Sequence, residues 1–88
     1  MKNFEWDVNK KRFNLEKHGI DFIDAIEIFN DPRRIEAVSY RQKEERYQTI
    51  GLVNGVIILV VYTYRNGKKR IISARSASKN ERRAYHET

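Results

Sequence analysis

Three arginines border the most apolar stretch of this 88-residue chain: Arg46 ahead of it, Arg65 at the turn behind it and Arg75 beyond. A guanidinium is a planar fork that meets two oxygens of a phosphate at once, which a lysine ammonium does not do. His18 closes an early basic segment that also carries Lys10 and Lys17. Histidine is the side chain whose charge ordinarily changes between pH 5 and 8, so it suits proton transfer in either direction. Cations for a phosphate and one group able to carry a proton are the parts of metal-free phosphodiester chemistry. Each also has a plainer role. The arginines can snorkel from a sheet rim or pair with Glu44, Glu45 or Glu81, and His18 can answer the dipole of a helix end. Lys10 and Lys17 can be solvated helix charge. Asp7 is explained by capping, and His86 lies two residues from the terminus, where chains fray.

The elements that must position these residues are legible as local patterns. Val56–Tyr64 is rich in β-branched and aromatic residues, which suit a pleated and largely covered strand. Asn54-Gly55 precedes it and Asn66-Gly67 follows the arginine at its end, each pair suited to a tight primed turn. The pattern predicts a meander of Glu45–Val53, Val56–Arg65 and Lys68–Arg75, with Ile35–Tyr40 as an additional first strand and Arg41–Glu44 as its turn. Phe4–Asp7 is a short extended piece. Asp7 caps a helix over Val8–Lys17 that ends at Gly19. Asp21 starts a second helix whose stripe is Phe22, Ala25, Ile26 and Phe29, ended by Asn30-Asp31-Pro32. Ser78 and Glu81 form a capping box for a last helix, Lys79–His86. The expectation is one α+β domain over residues 1–88: two N-terminal helices packed on a four-stranded antiparallel meander sheet, with a short C-terminal helix.

Charge points to the partner. The formal net charge is +6, but residues 1–32 balance to −2 and residues 33–88 to +8. A pI near 9.8 with the excess gathered on one part of a small domain is the footprint of a protein that meets a polyanion. The absence of cysteine excludes disulfides and cysteine-based zinc sites. His18 and His86 are too far apart for a paired-histidine metal motif, so no metal or cofactor is expected. No signal peptide, transit peptide or membrane span is read from the sequence, and a cytoplasmic location with no membrane partner is the expectation.

Taken together, FEWD (Phe4–Asp7), KHGI (Lys17–Ile20), F-x-DP (Phe29–Pro32), EER…IG (Glu44–Gly51), VVYTYR (Val60–Arg65) and RIISAR (Arg70–Arg75), with Glu81 and Tyr85, resemble the BrnT family of type II toxins. The pieces span nearly the whole chain in order, and none is specific alone. The resemblance implies a RelE-like fold and a ribonuclease that arrests translation. It also implies a BrnA-like ribbon-helix-helix antitoxin in a hetero-oligomer, through which the complex reaches operator DNA. RNA then becomes the polyanion. Its own 2′-OH can attack the adjacent phosphorus if the protein supplies a base, an acid and cations for the transition state. The residues for those roles are His18, Arg46, Arg65 and Arg75. Lys10 and Lys17 would contact phosphate, and Tyr62 and Tyr64 would stack on an unpaired base, although aromatics of a central strand are commonly core.

Two other classes use the same basic bias. One is a non-catalytic nucleic-acid-binding module, which would bind in a salt-sensitive way without scission. The other is an interaction protein whose basic surface meets an acidic partner.

Overall fold

A computed structural model describes residues 3–88. In chain order the elements are β1 (Phe4–Trp6), α1 (Val8–His18), α2 (Phe22–Ala25), a 3-10 helix (Ile26–Asn30), β2 (Ile35–Arg41), β3 (Glu44–Val53), β4 (Val56–Arg65), β5 (Lys68–Ser76) and α3 (Lys79–His86). The strands form one sheet in the order β1-β5-β4-β3-β2. The expected four-stranded antiparallel sheet is therefore corrected to a five-stranded mixed one. The meander β2–β5 is antiparallel, and Phe4–Trp6 adds a parallel strand beside Lys69–Ile71. Two pairing segments 65 residues apart leave no local pattern to announce them.

Alternation along β4 divides the sheet. Ile58, Val60 and Tyr62 join Ile71 and Ala74 of β5 and Val53 of β3 on the face covered by the N-terminal helices. Phe22, Ala25, Ile26 and Ile28 come down onto them. The second helix differs from the expected one: it makes a single α turn and then tightens to 3-10 geometry. At three residues per turn, side chains three apart line up. Phe22, Ala25 and Ile28 are accordingly all fully buried, and Ile28 takes the place expected of Phe29, which is only partly buried. Gly51 lets this helix approach β3, since a Cβ there would lie 2.7 Å from Ile28 Cγ1.

The β2–β3 turn also differs. Arg41 and Glu44 pair within the ladder, and Gln42-Lys43 make the two-residue turn with positive φ (53° and 63°), a conformation that ordinary side chains take at a cost. β2 is the outermost strand, and its Val38 and Tyr40 are 64% and 70% exposed.

At the other edge β1 pairs with Lys69–Ile71 only, and α1 takes over from there. Asn14, the one buried residue of α1, is 4% exposed. Its side-chain amide donates to Ala74 O (2.8 Å) and its carbonyl accepts from Ala74 N (3.0 Å), as a neighbouring strand would. The second amide hydrogen goes to Ile20 O (2.9 Å), in the link to α2. Both donors and the acceptor are used.

Removing this amide leaves buried backbone groups without partners, each worth about 1–3 kcal/mol. Asn14→Ala is expected to lower stability by about 3 kcal/mol in urea unfolding, with no change in the residues that face solvent on α1. An unchanged midpoint would show that the β5 edge does not depend on Asn14.

Candidate active site

The second face of the sheet carries the arginines. Thr63 of β4 pairs with Arg70 of β5, and Arg70 pairs with Glu5 of β1. On the other side Arg46 follows the Tyr47–Tyr62 pair by one step, which sets it beside Thr63, and it pairs with Ser39 of β2. Ser39, Arg46, Thr63, Arg70 and Glu5 thus form one row across all five strands. Arg65, paired with Lys68, lies two residues further along β4 on the same face and is exposed. Thr63 Oγ1 donates to Glu45 O (2.8 Å), which pins the row at its centre. Arg70 Nη1 is held by Glu5 (2.8 Å). Arg46 Nε is buried and has no hydrogen-bond partner among the described residues, a costly state for a cationic donor.

The structure therefore brings Arg46 and Arg65 together and adds Arg70 and Lys68 beside them. Sequence reasoning missed both. Strand parity was the available signal, because Arg65 and Lys68 flank the two-residue Asn66-Gly67 turn and so must face each other.

Arg75 stands apart. It pairs with Leu59, four residues from Thr63 and roughly 13 Å along the strand. Its fork is filled by Glu81, with Nη1 to Oε1 at 2.8 Å and Nη2 to Oε2 at 2.9 Å. Glu81 also closes the capping box on Ser78 N (2.8 Å), so the ion pair fastens the first turn of α3 to β5. Donating to Glu81 raises the guanidinium's pKa, and the hydrogen bond from Arg75 holds the Glu81 carboxyl below its usual range. The other end of α3 is tied by Tyr85, whose hydroxyl donates to Asp31 Oδ2 (2.6 Å). Asp31 also accepts from the N–H groups of Leu52 (2.8 Å) and Arg33 (2.9 Å). Burial pushes the Asp31 carboxyl up, but these donors outweigh it and hold the carboxyl below its usual range.

The aromatic candidates lie on the helix-covered face, away from the arginines. Tyr62 is 1% exposed, stacks with Tyr47 at 5.2 Å and donates to Glu36 Oε1 (2.6 Å). Burial, then that hydrogen bond, pushes its phenol pKa up. Both its faces are occupied, so it offers none to a base. Tyr64 is half exposed, with Lys69 Nζ 5.4 Å from its ring centre.

His18, Lys10 and Lys17 converge elsewhere. With Phe13, Asn14, Ile72 and Ser73 they line a cleft of about 280 Å³ between α1 and β5. His18 also borders a second hollow, of about 290 Å³, under the β3–β4 turn with Asp24, Val53, Val56 and Ile58. The α1 N-cap acts as expected: Asp7 Oδ1 accepts from Asn9 N (2.8 Å) and Lys10 N (3.1 Å). Gly19 ends the helix at φ 71°. That stop places His18 in the last turn, half-buried against β5. Among the described residues no cluster of three or more His, Asp or Glu is placed to hold a metal ion, and no helix is long and apolar enough to cross a membrane.

Residues 6–81 match the family model described as "Ribonuclease toxin, BrnT, of type II toxin-antitoxin system". No curated protein matches the chain.

Asp31 and Glu81 both have lowered carboxyl pKa values, so the stability they give is present above the ordinary carboxylate range, about pH 4, and is lost as pH falls through their lowered values. Urea midpoints are expected to drop between pH 5 and pH 3. Glu81→Gln is expected to lower the midpoint at pH 6 and to flatten that acid dependence. A parallel shift at every pH would show that Glu81 contributes no charge-dependent stability.

Proposed function

The chain belongs to the BrnT family of ribonuclease toxins of type II toxin–antitoxin systems, and from that membership we propose that it cleaves RNA without a metal ion. The observation that carries the reading is the cationic row on the open sheet face. Arg46 and Arg70 flank Thr63, and Arg65 and Lys68 follow one row on. A phosphate offers acceptors to cations gathered on one face, and a phosphorane-like transition state, with more charge on its oxygens, engages the guanidiniums more strongly.

In the proposed step the 2′ oxygen bonds to the adjacent phosphorus as the bond from phosphorus to the 5′ oxygen breaks. One proton leaves the 2′-OH and one reaches the 5′ oxygen, giving a 2′,3′-cyclic phosphate and a 5′-hydroxyl. His18 stands with Lys10 and Lys17 in the α1 cleft, so it is the proton carrier we assign for a strand whose scissile phosphate lies at the β5 edge, with the two lysines on flanking phosphates. The strand would cross the β5 edge, where Ser73 borders the cleft and pairs with Val61 on the arginine face. Arg75 acts through Glu81, holding α3 in place. Neutralisation falls to an antitoxin, which we infer to be a BrnA-like ribbon-helix-helix protein that covers the cationic row and carries the complex to operator DNA.

Purified protein is expected to cut single-stranded RNA in the presence of a chelator, to leave 2′,3′-cyclic phosphate ends and to spare DNA, which lacks the attacking hydroxyl. Arg46→Ala and Arg70→Ala are expected to lower cleavage 100-fold or more, the scale seen when one transition-state donor is removed. Arg75→Ala should instead lower stability. Cleavage that requires added magnesium would overturn the mechanism, and salt-sensitive binding without scission would make the protein a binding module. Full cleavage by His18→Ala would move proton transfer onto the sheet face.

A further inference from the structure

The cleft beside β5 holds a residue that the proposed chemistry leaves unused. Phe13 is 62% exposed in the middle of α1, although the helix meets the sheet through Asn14 next to it. Lys10 and Lys17 stand three residues before and four after it, on the same helix face. Lys17 Nζ lies 5.6 Å from the ring centre. Ile72 forms part of the wall because β5 shifts register there: Val61 pairs with Ser73 and Tyr62 with Ile71, which leaves Ile72 as the extra residue. Among the described residues no carboxylate lines the cleft, whereas the neighbouring hollow carries Asp24.

From this juxtaposition we propose that the α1 cleft is a nucleotide subsite for single-stranded RNA, in which an unpaired base stacks on Phe13 and the flanking phosphates meet Lys10 and Lys17. A planar apolar ring between two ammonium groups, with an imidazole and a hydroxyl at the margin, complements a chain that alternates flat bases with negative charge. An acidic peptide would satisfy the lysines but leave the ring unused. An apolar peptide would do the reverse. Stacking tolerates any base, because each has a π-face, so the subsite adds affinity and register without demanding a sequence. The ligand class rests on the ribonuclease reading, but the subsite lies on α1, outside the arginine row. It also moves the stacking role from Tyr62 and Tyr64 to a residue on the opposite side of the β5 edge.

The test is fluorescence anisotropy with a 2′-O-methyl oligonucleotide, which cannot be cut, using wild type, Phe13→Ala, Phe13→Trp, Lys10→Ala and Lys17→Ala. Phe13→Ala is expected to weaken binding about 10-fold or more, as loss of one stacked base does, with an unchanged salt slope. Phe13→Trp is expected to restore binding. Each lysine variant should reduce the slope of log affinity against log salt by about 0.7. Phe13 is exposed, so urea midpoints of its variants should match wild type. Equal binding by Phe13→Ala overturns the subsite, as does an effect on antitoxin binding alone. A wild type that cuts RNA while Phe13→Ala binds normally sinks the subsite and leaves the nuclease. A wild type that cuts nothing yet needs Phe13 to bind sinks the nuclease and leaves the subsite.

Discussion

A sheet must do something with each of its edges, and here one asparagine side chain settles the edge that the rest of the molecule leans on. β1 covers only the start of β5. Beyond Ile71 the ladder would end in unpaired backbone, which is expensive wherever a helix excludes water. Asn14 substitutes for a strand by giving Ala74 a donor and an acceptor in strand-like register, and its remaining hydrogen ties the start of the next helix. Asparagine is a poor helix former. Its position at the centre of α1 makes sense as a sheet contact carried on a helix. The contact fixes how α1 lies, and therefore where Lys10, Phe13, Lys17 and His18 point.

The two faces of the sheet divide the labour. One is spent on stability: aromatic rings from Phe4, Phe29, Tyr47, Tyr62 and Tyr64 pack in a chain of contacts between 5.1 and 5.8 Å, beside the aliphatic centre. Among the described residues the other face is closed only at the Arg75 end by α3, clamped through Glu81 and Tyr85. What remains open is the row of cations. Bringing like charges together costs energy, and the fold spends a half-buried Glu5 on Arg70 to limit that cost while leaving Arg46 and Arg65 without such a pair among the described residues.

The parts legible in the sequence are those whose causes are local. Asp7, Gly19 and the Ser78–Glu81 box set helix ends through contacts of a few residues, and both Asn-Gly pairs made the expected turns. The fifth strand, the asparagine at the β5 edge and the glycine-free turn at Gln42-Lys43 rest on partners distant in sequence or on strain absorbed by tertiary packing. The second helix was half legible: its apolar spacing announced a buried stripe, while the 3-10 turn that seats Ile28 in place of Phe29, in the room left by Gly51, has no local signal. For the site, residue types were readable but facing was not. Arg46 and Arg65 share a face with Arg70 because of register, Arg75 is diverted by a glutamate six residues on, and of the aromatics singled out on β4 Tyr62 is core while Tyr64 lies half exposed on the helix-covered face. The setting of Phe13, exposed on a basic helix, was not legible either, since the cleft wall opposite it is made by the β5 bulge at Ile72.

The outer strand bears on how the free protein behaves as a colloid. β2 ends the sheet with a row of unpaired N–H and C=O groups, next to the exposed Val38 and Tyr40. Such an edge is a template for a strand from another copy. It lacks proline and, among the described residues, has no strand or helix laid over it, so the strand's own Arg41 and the repulsion between chains of net charge +6 are what hold copies apart. Repulsion of that kind fades once ionic strength shortens the Debye length below about 10 Å. Salt thus withdraws the barrier to edge-to-edge association, and solubility of the free chain is set by its surroundings as much as by its fold.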